Sequence, residues 1–104
     1  MVSSDRTAYV CLVEIRLDLR RSQSLKEKRK TVSSLKALIR QRFVAAVAET
    51  AAHDDRRRAT LLVALVGGPE TAARASELER FVEARCPDGC AFERDVRTLA
   101  DIRD

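Results

Sequence analysis

The chain has 104 residues, of which 45% are hydrophobic and 35% are charged, and its formal net charge is +4. This balance excludes a disordered polymer, and no apolar run approaches the ~20 residues of a membrane-spanning helix. Residues 1–6 lack the apolar stretch of a signal peptide, so we expect a cytoplasmic protein. Three cysteines, an odd number, exclude a complete disulfide framework. The length predicts one domain over residues 1–104, with a core over about residues 8–100.

The first two predicted elements are a strand and a long basic helix. Tyr9–Leu19 alternates with a period of two, which predicts a strand with one apolar face and one face that becomes charged along its length. Ser24 and Glu27 are spaced as in a capping box, where each side chain bonds a free amide of the first helical turn. The helix is predicted to continue to about Arg42. Its buried stripe is expected to contain Leu25, Val32, Leu35, Leu38 and Ile39.

The rest of the chain predicts three further strands and a second helix. Small and β-branched residues predict a strand over Phe43–Thr50, and the apolar run in Arg58–Val66 predicts a central strand. Pro69 is predicted at the first position of the second helix, where its missing amide costs nothing. The inner face of that helix is expected to contain Ala75, Leu78, Val82 and Cys86. A turn at Pro87-Asp88-Gly89 then precedes a last strand over Ala91–Leu99.

The resulting element order is β-α-β-β-α-β. With right-handed crossovers, this order predicts an α+β sandwich of the ferredoxin-like type: a four-stranded antiparallel sheet with both helices on one face. Many unrelated functions use that fold, so it implies none of them.

A motif at the start of the first helix resembles that of a known family. The stretch Ser24-Leu25-Lys26-Glu27-Lys28-Arg29, after a strand ending in Leu-Asp-Leu, is similar to the YlxP-like family, catalogued as domain of unknown function 503. The resemblance continues through Arg42-Phe43, Val47-Ala48-Glu49 and Arg58-Ala59-Thr60, and covers about residues 8–100. It implies a ferredoxin-like fold and an association with the ribosome, because bacterial members often lie beside translation and ribosome-maturation genes. It implies no activity. The family's middle loop often carries Trp; here Ala51–Asp55 stands in its place, which leaves open a specialised paralogue.

Cations on the first helix form the strongest candidate site. Between Arg20 and Arg42, nine residues are Lys or Arg and one, Glu27, is acidic. At 100° per residue, five of these cations share an arc of ~120° on one side of the helix. We call this set the basic ridge; it contains Lys26, Arg29, Lys30, Lys36 and Arg40. We expect it to bind the phosphates of RNA or an acidic protein surface, and the alternative is a solvated face that binds nothing.

Lys28 falls inside the apolar arc of the same helix, beside Val32 and Leu35. We expect its ammonium group to extend past the sheet edge to water. Pairing with Glu14 or Asp18 on the first strand is the alternative, and a buried, functional lysine is the third.

The sheet face opposite the helices is predicted to be apolar without being aromatic. The outward positions of the first strand include Val10 and Leu12, and the third strand has no aromatic residue. Base stacking on this face is therefore not expected, and any RNA contact would be dominated by phosphates. An exposed apolar patch usually marks an interface, so Val10 and Leu12 predict a homodimer; cover by loops or the C-terminal tail is the alternative.

Three other motifs give weaker signals. Cys86 and Cys90 flank a turn and predict two structural thiols, with a reversible disulfide as the alternative; a zinc site would need two more ligands, which are not evident. His53 lies in a polar stretch without a nearby nucleophile, which predicts a turn. Gly67-Gly68 precedes a helix N-terminus, which attracts anions, but lacks the phosphate-loop pattern. We predict no metal, no cofactor and no catalytic residue.

These observations predict a small binding protein that is not an enzyme. The first hypothesis is association with RNA or a ribosomal particle through the basic ridge. The second is a homodimeric accessory or scaffold protein that binds an acidic protein partner. No membrane partner is expected.

Overall fold

A computed structural model describes residues 4–104 of the chain. Its strands and two long helices follow the predicted order β-α-β-β-α-β, and two short helices that were not predicted precede and follow them. A 3-10 helix at Ser4–Arg6 comes first. The strands are β1 (Tyr9–Asp18), β2 (Ala46–Ala51), β3 (Arg58–Gly67) and β4 (Cys90–Thr98). The helices are α1 (Leu25–Phe43), α2 (Thr71–Glu83) and α3 (Leu99–Arg103).

The four strands form one antiparallel sheet in the order β2-β3-β1-β4. The long strands β1 and β3 are its centre, with Val13 opposite Val63, and the crossover helices α1 and α2 cover one face. This is the ferredoxin-like βαββαβ sandwich, and the predicted fold class is confirmed.

The core lies between the helices and the alternate residues of the central strands that face them. Burial along β1 alternates as predicted, because Cys11, Val13, Ile15 and Leu17 face the helices. Leu61, Val63 and Leu65 of β3 face the helices as well. These strand residues pack against one stripe of each helix, which contains Val32, Leu35, Ile39, Ala75, Leu78 and Val82. These residues belong to one core cluster, and the predicted limits of the domain stay a prediction.

The junction between α1 and β2 differs from the prediction. Phe43 belongs to α1 and not to a strand, and it is buried with its ring edge against Phe81 at 5.5 Å. Arg42 lies over both rings, at 5.7 Å and 5.1 Å from their centroids. The chain then leaves the helix through Val44, which caps it in the left-handed region (φ 50°). The second strand therefore begins at Ala46.

Both ends of α2 also differ from the prediction. Pro69 lies before the helix, because the carbonyl of Gly68 accepts from both Thr71 N (3.1 Å) and Thr71 Oγ1 (2.6 Å), and this turn places the N-cap at Glu70. Cys86 is not a helical residue, since α2 ends at Glu83.

The first turn of α1 forms half of the predicted capping box. Ser24 Oγ accepts from Glu27 N at 3.0 Å, as expected. The Glu27 carboxylate instead accepts from Gln23 N, at 3.4 Å. The predicted buried stripe is correct except at its borders, where Leu38 is 43% exposed and Leu25 is half-buried.

Candidate anion-binding face of the first helix

The basic ridge lies along α1, and Arg40 brings its C-terminal end to the edge strand β2. Lys26, Arg29 and Lys30 are exposed, and Lys36 is half-buried. Arg40 is exposed too, but its Nη2 donates to the carbonyl of Val47 in β2 at 3.0 Å. From Lys26 to Arg40 the ridge extends about 21 Å at 1.5 Å per residue. The structure therefore brings all five predicted residues onto one helix, with one of them bonded to the sheet.

The charge of the basic ridge is not neutralised by neighbouring acids. Among residues 4–104, every ion pair uses cations outside the ridge, such as Arg20 with Asp18 and Arg21 with Asp88. Glu27, the acid of α1, is used at the N-terminal cap. Because unpaired surface cations attract phosphates and carboxylates, this face is suited to a polyanion.

Lys28 is buried, as in the third predicted arrangement, whereas the expected extension to water and the pairing with Glu14 or Asp18 were wrong. Its side chain is 1% exposed, and Nζ donates to the carbonyls of Ala52 (2.5 Å) and His53 (3.2 Å). Nζ also lies 3.1 Å from Glu49 Oε2. That contact is an ion pair without hydrogen-bond alignment, because the buried oxygen has no hydrogen-bond partner. Lys28 therefore joins α1 to the end of β2 and the β2–β3 loop.

Glu14 and Asp18 cannot pair with Lys28, because they lie on the face of the sheet opposite to the helices. The residues of β1 that face the helices are Val13, Ile15 and Leu17, whereas Glu14 pairs with Arg16 and Asp18 with Arg20. The position of Lys28 in the apolar arc was the sequence signal for burial. The loop carbonyls that accept hydrogen bonds from Lys28 Nζ have no sequence signal, since Ala52 exposes its carbonyl through a left-handed turn (φ 61°).

The open face of the sheet carries an apolar patch. Leu12 is 37% and Val66 is 64% exposed, and Val10 is half-buried opposite Val66. Leu62 and Ala64 continue the patch along β3 and are half-buried. Both predicted interface residues thus lie on one apolar surface, and dimerisation stays a prediction.

The loop signals at Gly67-Gly68 and at His53 are engaged in local hydrogen bonds. At the start of α2 the Glu70 carboxylate accepts from Gly68 N at 3.0 Å, so the chain's own acid occupies the amide that an anion would use. That bond lowers the pKa of Glu70. His53 Nε2 contacts the carbonyl of Glu49 at 3.1 Å in an exposed loop. Within residues 4–104, no three His, Cys, Asp or Glu side chains are grouped to hold a metal ion.

Comparison with protein families identifies the family of the chain. The model of the family described as "Protein of unknown function (DUF503)" matches residues 10–90. The chain belongs to this family. The matched region extends from β1 to the start of β4 and includes all of the basic ridge, and the membership predicted from the motif at residues 24–29 is confirmed.

The other two comparisons add little. No curated protein matches the chain. Among solved structures, it is similar to the solution NMR structure of a de novo designed protein with ferredoxin fold, with 15% identity, coverage of 88% of this chain and 86% of that chain, and a TM-score of 0.41. At that TM-score the fold assignment rests on the strand order of the chain itself. Within residues 4–104, no helix is long and apolar enough to span a membrane.

Proposed function

We propose that this protein binds RNA through the basic ridge of α1, as a cytoplasmic factor that associates with RNA or a ribosomal particle and catalyses no reaction. The observation that supports the proposal is the row of cations on α1 that have no acidic partner among residues 4–104. Lys26, Arg29 and Lys30 are exposed within about one helical turn, so a phosphate backbone can contact all three at once.

The mode of binding follows from the side chains that accompany the cations. The exposed sheet face offers aliphatic residues such as Leu12 and Val66, and neither can stack on a base. Lysine and arginine contacts to phosphates position a nucleic acid without reading its sequence. We therefore expect weak sequence preference and strong dependence on salt.

Fluorescence anisotropy with a labelled single-stranded RNA of mixed sequence tests the proposal. The variant Lys30→Glu/Lys36→Glu replaces two ridge cations by acids and should lose most of its affinity, because two phosphate contacts become repulsive. The control Arg80→Glu/Arg97→Glu makes the same change of charge on α2 and β4, outside the ridge, and should retain most of the affinity. Equal losses in the two variants would mean that net charge, and not the ridge, determines binding.

A second candidate function rests on the apolar patch of the open sheet face. A homodimer formed through Leu12 and Val66 would bury both side chains and leave the two basic ridges exposed for an acidic protein partner. RNA affinity separates the two candidates. If the chain binds an acidic polypeptide such as poly-glutamate but does not bind an RNA of the same net charge, the second candidate function is favoured.

A further inference from the structure

We infer that a groove between α1 and the turn before β4 is a binding site for a small amphipathic carboxylate, an aliphatic chain of about nine carbons that ends in a carboxylate group. The groove has a volume of about 490 Å³, which lies within the range of about 300–1,000 Å³ that is usual for small-molecule sites. This inference is independent of the proposed RNA binding, and its test needs no nucleic acid.

The groove follows one stripe of α1. The helix residues that line it have helical spacing: Glu27, Lys30, Thr31, Ser34, Leu35 and Leu38. Its other sides are the end of β1 with the residues that follow it, and the turn at 85–88, which begins after α2 has ended at Glu83. Because a turn and not a helix faces α1 there, apolar side chains stay uncovered: Leu38 is 43% exposed, and Leu19 is half-buried.

The apolar lining of the groove suits an aliphatic chain. It comes from all three segments and contains Leu17, Leu19, Leu35, Leu38, Cys86 and Pro87. The Cys86 thiol is free, and burial raises its pKa to about 12, so it is uncharged at neutral pH and packs as an apolar group. From Lys30 to Leu38 the helix advances about 12 Å at 1.5 Å per residue. An extended chain of about nine carbons has the same length, at about 1.3 Å per carbon.

The unoccupied polar groups on the α1 side of the groove are hydrogen-bond donors. Among residues 4–104, the side chains of Lys30, Thr31 and Ser34 have no hydrogen-bond or ion-pair partner. Ser76 of α2, by contrast, donates to the carbonyl of Ala72 at 3.3 Å, within its own helix. The three free groups lie within about one turn of α1, so the two oxygens of one carboxylate can accept hydrogen bonds from them.

The three acids that line the groove are engaged by the chain itself. Asp18 accepts from Arg20 Nη2 at 2.7 Å, and Asp88 pairs with Arg21 Nε at 2.9 Å. The carboxylate of Glu27 accepts a backbone amide at the start of α1. An anionic group in the groove therefore meets free donors, whereas a cationic group meets carboxylates that are already engaged. This charge complementarity favours a ligand with a negative end.

The second cation without an acidic partner in the groove is fixed by other contacts. The Arg85 guanidinium lies over the ring of Phe81, 3.6 Å from its centroid, and Nη1 donates to the Phe81 carbonyl at 3.3 Å. Its charge adds to the positive potential of the groove, but its position is set by Phe81. Lys30 is therefore the cation that a ligand binds, with the aliphatic chain directed along α1 towards Leu38.

Nonanoate, kept below the concentrations at which it forms micelles, is the probe for the test. An NMR titration of the isotope-labelled full chain measures the affinity and maps the site. We expect saturable shifts in the amides of residues 30–38 and 85–88, and none along residues 62–66 of the open sheet face. The neutral nonan-1-ol should bind about tenfold more weakly, because it lacks the charge-assisted hydrogen bonds. Acetate and nonyltrimethylammonium should cause no saturable shift in the groove.

Two variants with matched controls test the two ends of the site. Lys30→Gln should weaken nonanoate binding about fivefold, whereas Lys26→Gln makes the same change outside the groove and should leave it unchanged. Leu38→Gln should also weaken binding about fivefold, whereas Ile102→Gln, at an exposed position of α3, should not. Circular dichroism checks that each variant is folded. The inference is overturned if nonanoate causes no saturable shift, if the shifts lie on the open sheet face, or if each variant and its control weaken binding equally.

Discussion

Replacing Lys28 by methionine tests how the motif at the start of α1 stabilises the fold. Methionine keeps the length of the apolar stem but removes the ammonium group. The carbonyls of Ala52 and His53 then lose their donor, and the Glu49 carboxylate, 18% exposed, loses its counter-charge. The chain is highly charged and has four lysines. We nevertheless expect the loss of this one ammonium group in Lys28→Met to lower the free energy of unfolding strongly.

The magnitude follows from these contacts. A hydrogen bond from a charged donor contributes about 1.5–3 kcal/mol, and removing one partner of a buried ion pair costs about 3–5 kcal/mol. Because Glu49 keeps some contact with water, we expect a loss near the lower end, about 3 kcal/mol. For a chain of this size that corresponds to a fall in Tm of about 15 °C. Urea and thermal unfolding followed by circular dichroism measure both quantities.

Two further variants make the test specific. Lys26→Met makes the same chemical change on an exposed face of the same helix and should change stability by less than about 0.5 kcal/mol. Adding Glu49→Gln to Lys28→Met removes the orphaned charge and should recover about 1 kcal/mol or more. A loss below about 1 kcal/mol in Lys28→Met would show that the buried ammonium is dispensable and would refute the reasoning.

Three other predictions concern the sheet, the turn and acid stability. Leu12→Arg should convert a sheet-face dimer into a monomer in sedimentation analysis; if the wild type is already monomeric, the second candidate function is wrong. Gly89, in the turn between α2 and β4, has φ 104°, and a Cβ added there would meet no atom within 4 Å. Gly89→Ala should therefore lower the free energy of unfolding in urea by about 1–3 kcal/mol through backbone strain alone. An unchanged urea midpoint would contradict the left-handed conformation of this turn. Hydrogen bonds lower the pKa values of Asp18, Glu70 and Asp101. These three carboxylates stabilise the fold fully only when the pH is above the pKa values that they have in the unfolded chain. Thermal stability should therefore decline as the pH falls below about 4.3, and a Tm that stays constant down to pH 2 would contradict this.

The sequence was sufficient for the fold and for the arrangement of the ridge because both follow from local periodicity. The alternation in Tyr9–Leu19 and the helical spacing from Leu25 to Ile39 each identify a face that must be buried. The five ridge cations follow from the same spacing, since the arc they share is the one that the core does not use.

The features that the sequence did not predict depend on contacts between distant segments. The end of α1 at Phe43 is fixed by Phe81, which is 38 positions away in the chain, and not by a local breaker. The partners of Lys28 are loop carbonyls 24 and 25 residues away, exposed by the backbone of Ala52. Backbone carbonyls carry no residue identity, so no motif could have identified them.

The salt dependence of RNA affinity tests the central claim most directly. Plotting log K against log salt for single-stranded RNA should give a slope of about −3.5 if all five ridge cations contact phosphates, or about −2.8 if Arg40 keeps its bond to Val47. Lys30→Glu/Lys36→Glu should make the slope shallower by about 1.4, at 0.7 for each lost contact. A slope near zero, or a slope that the double variant leaves unchanged, would show that the basic ridge does not bind RNA phosphates.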